Sequence, residues 1–296
     1  MRRAAWAALA AALLARAQPE KLRFQPSGDE FVFDTGLLKG KLRAGGRSLG
    51  LCSVVHVPSG AQISRSMGLF GHYRVFSANR RYGDAAWNWP SQARLLPDGA
   101  VEVYWPAAEG RPLRLWAVYR WSGAGELDLE TGAESDAELP GFESFLASYF
   151  SEDFKISRAY AGSPPAWLPA DPAHGVWQMF PRDPQALALI QDGRWSYPPS
   201  PVNWALRPVL AQPIGLRRAP ALDLTAVVMA PREECFAVAS PHQTEGHYSI
   251  YLSLFGGTLS PGRRQRARAR LVIAGSLEER RIPELYRAYL AAIEGR

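Results

Sequence analysis

Cysteine is scarce in this chain: Cys52 and Cys235 are the whole complement. With two thiols and no Cys-x-x-Cys, a cysteine-built metal site is excluded. A bridge between them would be allowed in an oxidising compartment. They lie far apart in sequence, and two buried free thiols are the favoured reading. Long apolar runs are missing after the N-terminus, so no later segment reads as a membrane span. Nucleotide and protease signatures are missing as well. There is no P-loop, no Gly-x-Gly-x-x-Gly after a strand, no His-Glu-x-x-His and no Gly-x-Ser-x-Gly elbow. Internal repeats and low-complexity tracts are also absent.

What is present begins at the N-terminus. Arg2 and Arg3 precede an uncharged apolar run from Ala4 to Ala15, and Ala15-Arg16-Ala17 supplies small residues at the positions a signal peptidase reads. This is the pattern of a secretory signal peptide over residues 1–17, too short to span a bilayer comfortably. It predicts a secreted or periplasmic protein. No cysteine follows in a lipobox-like position, so no membrane association is expected after cleavage. The formal charge of +6 falls to about +3 once Arg2, Arg3 and Arg16 leave, and no nucleic-acid partner is expected. The remaining chain, residues 18–296, is long enough for one large all-β domain, and 47% hydrophobic residues support a sizeable core.

Period-2 alternation dominates that domain. Val101, Val103 and Trp105 recur at every second position. So do Leu113 to Trp121, Leu127 and Leu129, Ile250 to Leu254, and Ala267 to Ile273. Each run reads as a strand with one face inward. Pro97-Asp98-Gly99, Gly123-Ala124-Gly125, Gly256-Gly257 and Ser260-Pro261-Gly262 read as the turns between them. Strands joined without intervening helices imply antiparallel sheets in a sandwich. One helix is expected at about 283–294, where Ile282, Leu285, Tyr286, Tyr289, Leu290 and Ile293 share a face and Pro283 suits the first turn. Ser276 and Glu279 have capping-box spacing. Residues 160–201 differ, with nine prolines and Trp167, Trp177 and Trp195. They read as a semi-rigid insertion over one end of the sandwich, either functional or an edge-covering flap. Arg263–Arg270 alternates with alanine from Arg266 and reads as a solvated strand face. His56, in an apolar strand, reads as a satisfied core histidine.

Three polar groupings could carry chemistry. Gly71-His72-Tyr73-Arg74 runs on to Asn79-Arg80-Arg81-Tyr82 and then Trp87 and Trp89, mixing planar polar groups with flat rings as sugar recognition requires. The same mixture would serve as a buried network holding a loop. Glu143 would share a strand face with Phe145, Ala147 and Tyr149. A carboxylate there is an acid–base candidate with a raised pKa, or the partner of a buried arginine. His242-Gln243-Thr244-Glu245-Gly246-His247 leads straight into the Tyr248–Phe255 strand. Its two imidazoles and carboxylate could move protons on a bound sugar, ligate a metal, or form a solvated loop.

Tyr248–Gly256, Leu259-Ser260-Pro261-Gly262 and Ala267–Ile273 together resemble the closing strands of the galactose mutarotase-like superfamily. Ala78-Asn79-Arg80 resembles the Ala-Asn-Arg segment of aldose 1-epimerases, and Leu127–Thr131 suits the same fold. The chain is similar to exported bacterial members of that superfamily over residues 22–275. The resemblance implies an all-β, large antiparallel β-supersandwich with a sugar cleft, and in the epimerases a His acid and a Glu base. The chain lacks their His-Ser-Tyr-Phe-Asn-type segment. Fold alone does not carry a reaction. The expectation is an exported carbohydrate-active protein with a carbohydrate ligand. Its catalytic candidates are His72 or His247 as acid and Glu143 or Glu245 as base. Asn79, Arg80, Trp87 and His242 are the substrate-binding candidates. No metal and no cofactor are expected, with calcium the one ion left open. A noncatalytic carbohydrate-binding or accessory protein, and an envelope interaction domain, are the alternatives.

Overall fold

A computed structural model describes residues 20–78, 80–242 and 246–295. The signal-peptide assignment to residues 1–17 lies outside them, as do Asn79 and Glu245. Strands β1 (Gln25–Ser27), β2 (Glu30–Asp34), β3 (Leu38–Ala44) and β4 (Arg47–His56) come first. Then follow β5 (Gly71–Ser77), β6 (Arg80–Arg81), β7 (Gln92–Leu95), β8 (Val101–Trp105), β9 (Leu113–Gly123) and β10 (Glu126–Ser135). β11 (Glu143–Tyr149), β12 (Ile156–Ala161), β13 (Ala166–Pro169) and β14 (Gln178–Pro181) lead to the short helix α1 (Pro184–Ile190). The chain closes with β15 (Ala205–Leu206), β16 (Leu210–Ala219), β17 (Leu224–Met229), β18 (Cys235–Ala239), β19 (Ser249–Phe255), β20 (Gln265–Gly275) and α2 (Ile282–Glu294).

Among the described residues the strands form three sheets. β1 to β4 make a four-stranded antiparallel sheet in chain order. Nine strands order as β13-β12-β16-β17-β20-β10-β9-β8-β7, and seven as β15-β14-β18-β19-β11-β5-β6. The alternating runs lie where their period places them. β8 buries Val101, Val103 and Trp105 and leaves the residues between half-buried. β9 and β10 form a hairpin about Ala124, with Leu129 opposite Tyr119 and Leu127 opposite Trp121.

Among the described residues the layers enclose three apolar cores. The largest lies between the nine- and seven-stranded sheets, where Val103, Trp105, Leu115 and Leu271 meet Val75, Leu146, Leu252 and Leu254. A second fills the space between the nine-stranded sheet and α2, where Ile214, Leu216, Val227 and Val272 meet Ile282, Tyr286 and Tyr289. The third lies on the far face of the seven-stranded sheet, under the segment from α1 to β15. Burial of each large side chain contributes on the order of 2 kcal/mol. No described helix is long and apolar enough to cross a membrane.

These layers change several expectations. β19 is buried on both faces rather than one, because the α1–β15 segment covers its other side. The Arg266–Arg270 face is solvated at Arg266 alone. Arg268 pairs with Glu234, and Arg270 pairs with Asp128 at 2.6 Å beneath the Tyr289 ring, since α2 covers that side. The expected insertion divides: residues to 169 form the β12–β13 hairpin at a sheet edge, whereas α1 and the chain to Trp204 lie on a sheet face rather than over one end. The capping box does not form. Ser276 donates to Asp223, and Glu279 accepts from Arg158 at 2.7 Å. His56 is buried, with Nδ1 2.8 Å from Ser59 Oγ. Both thiols are free and buried.

Candidate functional site

The site grows from a register defect. β5 and β11 pair Arg74 with Phe145 but His72 with Leu146, so Tyr73 is one residue too many. Such a bulge re-aims side chains. Here it sends two consecutive residues, Tyr73 and Arg74, to the covered face, while His72 turns to the opposite one. Regular alternation does the rest: Phe145 and Tyr149 of β11 and Tyr251 of β19 face the same side. The covering segment brings Trp195, Val202 and Trp204 down on them, with Trp177 at one rim. A cavity of about 200 Å³ remains, bounded by these rings, Arg74, Ser200 and His247. A broader open depression of about 890 Å³ crosses β2 to β4, but its rim is mostly charged and aliphatic. The smaller, walled space is the candidate site, because convergent rings and polar groups are what a ligand pocket requires.

The rings are mutually braced. Phe145 stacks on Tyr251 at 4.6 Å, and Tyr73 on Trp87 at 4.4 Å. Trp204 meets Trp195 edge-on at 5.1 Å and Trp177 at 5.9 Å, and Trp177 meets His247 at 4.8 Å. The Ser249 hydroxyl donates to Tyr251 Oη at 2.8 Å, which donates to Tyr149 Oη at 3.1 Å. Burial pushes both phenols above their ordinary value, so they stay protonated. Arg74 is 3% exposed. One terminal nitrogen donates to the Ser200 carbonyl at 2.7 Å.

Arg217 holds one wall in place. Fully buried on β16, it donates to the carbonyls of Phe154, Pro241, His247 and Ser249 and so ties down both ends of the loop bearing the two histidines. Burial pulls its guanidinium down to about 9.

Of the sequence-predicted site residues, His247 reaches the cavity. His242 sits at the start of its loop, its amide donating to the Val176 carbonyl at 2.7 Å. Trp87 is 4% exposed and supports Tyr73 from behind; it cannot offer a free stacking face. His72 belongs to the inter-sheet core. Its Nδ1 is 2.6 Å from Ser144 Oγ, its Nε2 3.2 Å from Thr131 Oγ1, and Trp105 packs edge-on against it. Glu143 lies on the covered face but is sealed, its Oε2 accepting from Arg194 Nη1 at 2.8 Å with both side chains inaccessible. Arg80 turns away at the sheet edge, donating to the Gly110 carbonyl at 2.9 Å. His72, Glu143 and Arg80 therefore do not meet His247 around one cleft, because strand alternation and an ion pair direct them elsewhere. Sequence reasoning placed Arg74 in the His72 grouping and Tyr149 on the Glu143 face without choosing either as a site residue, and it did not single out Tyr251 or Trp204. The shared face of Phe145 and Tyr149 was visible in the alternation; the bulge that turns Arg74 to the covered face has no sequence signal. Among the described residues no cluster of three or more His, Cys, Asp or Glu could hold a metal ion.

The architecture is an all-β, large antiparallel β-supersandwich with a C-terminal helix. No protein-family profile and no curated protein matches the chain. Solved structures do. A galactose mutarotase-like protein from Lactobacillus casei is 12% identical with a TM-score of 0.51, the match covering 83% of this chain and 100% of that one. The Slr1438 protein from Synechocystis is 12% identical with a TM-score of 0.50, covering 85% and 97%. An alpha-mannosidase from Enterococcus faecalis is 11% identical with a TM-score of 0.53, covering 91% of this chain and 32% of the mannosidase. The chain has the galactose mutarotase-like fold. Identities this low carry the fold and not the reaction.

Proposed function

We propose that the protein is an exported carbohydrate-binding protein whose aromatic cavity takes a single sugar ring. The observation that carries this is the cavity itself: about 200 Å³, walled by Tyr73, Phe145, Tyr149, Trp177, Trp204 and Tyr251. Flat rings cover the apolar faces of a pyranose, and phenol and guanidinium groups meet its oxygens. The names of two proteins sharing the fold, a galactose mutarotase-like protein and an alpha-mannosidase, support the assignment. A second reading, acid–base chemistry on the sugar, rests on His247 in the cavity wall. Binding is favoured because aromatic rings make up most of the described lining.

The test is a thermal-shift panel of monosaccharides, sugar acids and oligosaccharides on the mature chain, with and without calcium, followed by NMR of anomer exchange. A ligand at a hundred times its Kd stabilises by about 2.7 kcal/mol, and Trp204→Ala is expected to remove that shift. Bound sugar with uncatalysed anomer exchange establishes the binding role. Accelerated exchange that His247→Asn abolishes establishes the enzyme instead. A panel without any stabilising sugar sinks both readings.

A further inference from the structure

We infer that the ligand of this cavity is a sugar acid whose carboxylate is received by Arg74. This rests on the carbohydrate reading above and adds the charge of the ligand. Arg74 is almost fully buried, yet its Nε and Nη1 donate to nothing among the described residues. Its other terminal nitrogen has the Ser200 carbonyl at 2.7 Å and the Tyr73 hydroxyl at 3.4 Å. The guanidinium carbon lies 5.0 Å from the Tyr73 ring centroid and 5.2 Å from that of Trp195. Ring faces attract the charge but supply no lone pair for in-plane donors. Trp204 Nε1, on the same cavity, is also buried without a partner. Buried donors left unmade are costly, about 1–3 kcal/mol each and more when charged.

The described surroundings offer no counter-charge. Among the described residues no carboxylate lies within ion-pairing distance of Arg74, and Glu143, on the same face, is committed to Arg194. One charged neighbour is another cation. Arg81 donates to the carbonyls of Pro199, Gly83 and Asp84, and burial, then Arg74, pull its guanidinium below its ordinary value. The cavity wall thus holds the Arg74 guanidinium, an unpaired indole N–H and phenols kept protonated, and Arg81 lies outside its lining. It is rich in donors and poor in acceptors. A neutral sugar brings hydroxyls that donate as much as they accept. A carboxylate is acceptor-only, and its two oxygens match the free edge of a guanidinium. Fixed to the aromatic walls, that preference selects a pyranose ring bearing a carboxylate.

The experiment is calorimetric titration of the mature protein with matched pairs, glucuronate against glucose and galacturonate against galactose, and with cyclohexanecarboxylate as a non-sugar acid. At least one sugar acid is expected to bind about tenfold or more tighter than its neutral partner, and Arg74→Gln is expected to bring that ratio close to one. Arg74→Lys, which keeps the charge and loses the fork, should give an intermediate ratio. If either variant fails to fold, the matched pairs on the unaltered protein still decide. Neutral sugars binding as tightly as their acids overturn the inference and leave the carbohydrate reading intact. Cyclohexanecarboxylate binding with no sugar acid bound overturns both and redefines the cavity as a site for another class of carboxylate. No binding by any probe at millimolar concentration also overturns both.

Discussion

At the scale of single residues, burial decides what a titratable group can do. His72 has the composition of a catalytic acid and the surroundings of a structural strut: each ring nitrogen faces a hydroxyl, and no solvent reaches it. Burial alone pulls its pKa from 6.5 to about 4. The native state therefore keeps His72 neutral over a range in which the unfolded chain takes up a proton. The stability this group contributes is complete above pH 6.5 and is lost as pH falls toward 4, a change of about 3 kcal/mol. Melting temperature followed from pH 7.5 to 4 should show that loss, and His72→Gln should flatten it while lowering stability at pH 7 by about 1–3 kcal/mol. An NMR titration placing the His72 pKa near 6.5 in the folded protein would contradict the buried assignment. Glu143 teaches the same lesson with the opposite charge. Its face was readable from alternation with Phe145 and Tyr149, and the buried-arginine alternative proved to be the arrangement adopted.

Among elements, the decisive one is the cover from α1 to β15. Arg194 pins it, donating to Glu143 on the sheet, to both oxygens of Asp192 and to the Gly141 carbonyl. Trp195 beside it inserts between Phe76 and Phe145. Removing the cation leaves two carboxylates without their buried partner. Arg194→Ala should therefore destabilise by about 3–5 kcal/mol. The loss should be local first: limited proteolysis should cut within 184–204 while circular dichroism still reports the sheets. Cleavage that awaits global unfolding would show that cover and sheet open as one unit. The sheets themselves were legible because the apolar residues of β8, β9, β10, β19 and β20 recur at every second position, although β19 is buried on both faces, and α2 because its apolar residues recur at helical spacing. The cover was legible as something unusual from its prolines and tryptophans. Its resting place was not, since aromatic residues at irregular spacing have no period to tell an end cap from a face cap. The site depended on that placement and on the one-residue bulge at Tyr73, a local geometry that alternation cannot encode. His247 was found because it stands next to a strand whose period is clear.

Across the whole molecule, the three stacked cores make the two thiols reporters of how it opens. Cys52 lies on β4 in the core beneath the cover, and Cys235 on β18 in the core between the two large sheets. Burial pushes the first thiol up to about 11 and the second to about 12. The reactive species is the thiolate, so neither should react in the native state. Reducing agent should leave the melting temperature unchanged, because both thiols are free. Local openings cost less free energy than global unfolding, and peripheral layers open first. Cys52, sharing its core with the cover, should thus be labelled by a thiol reagent at lower urea than Cys235, which waits for separation of the sheets. Mass spectrometry of peptides labelled across a urea series reads the two sites separately. Coincident labelling would mean that the cover and the inter-sheet core unfold together. In that case a ligand in the aromatic cavity would stabilise both thiols equally; with stepwise opening its protection of Cys52 should exceed that of Cys235.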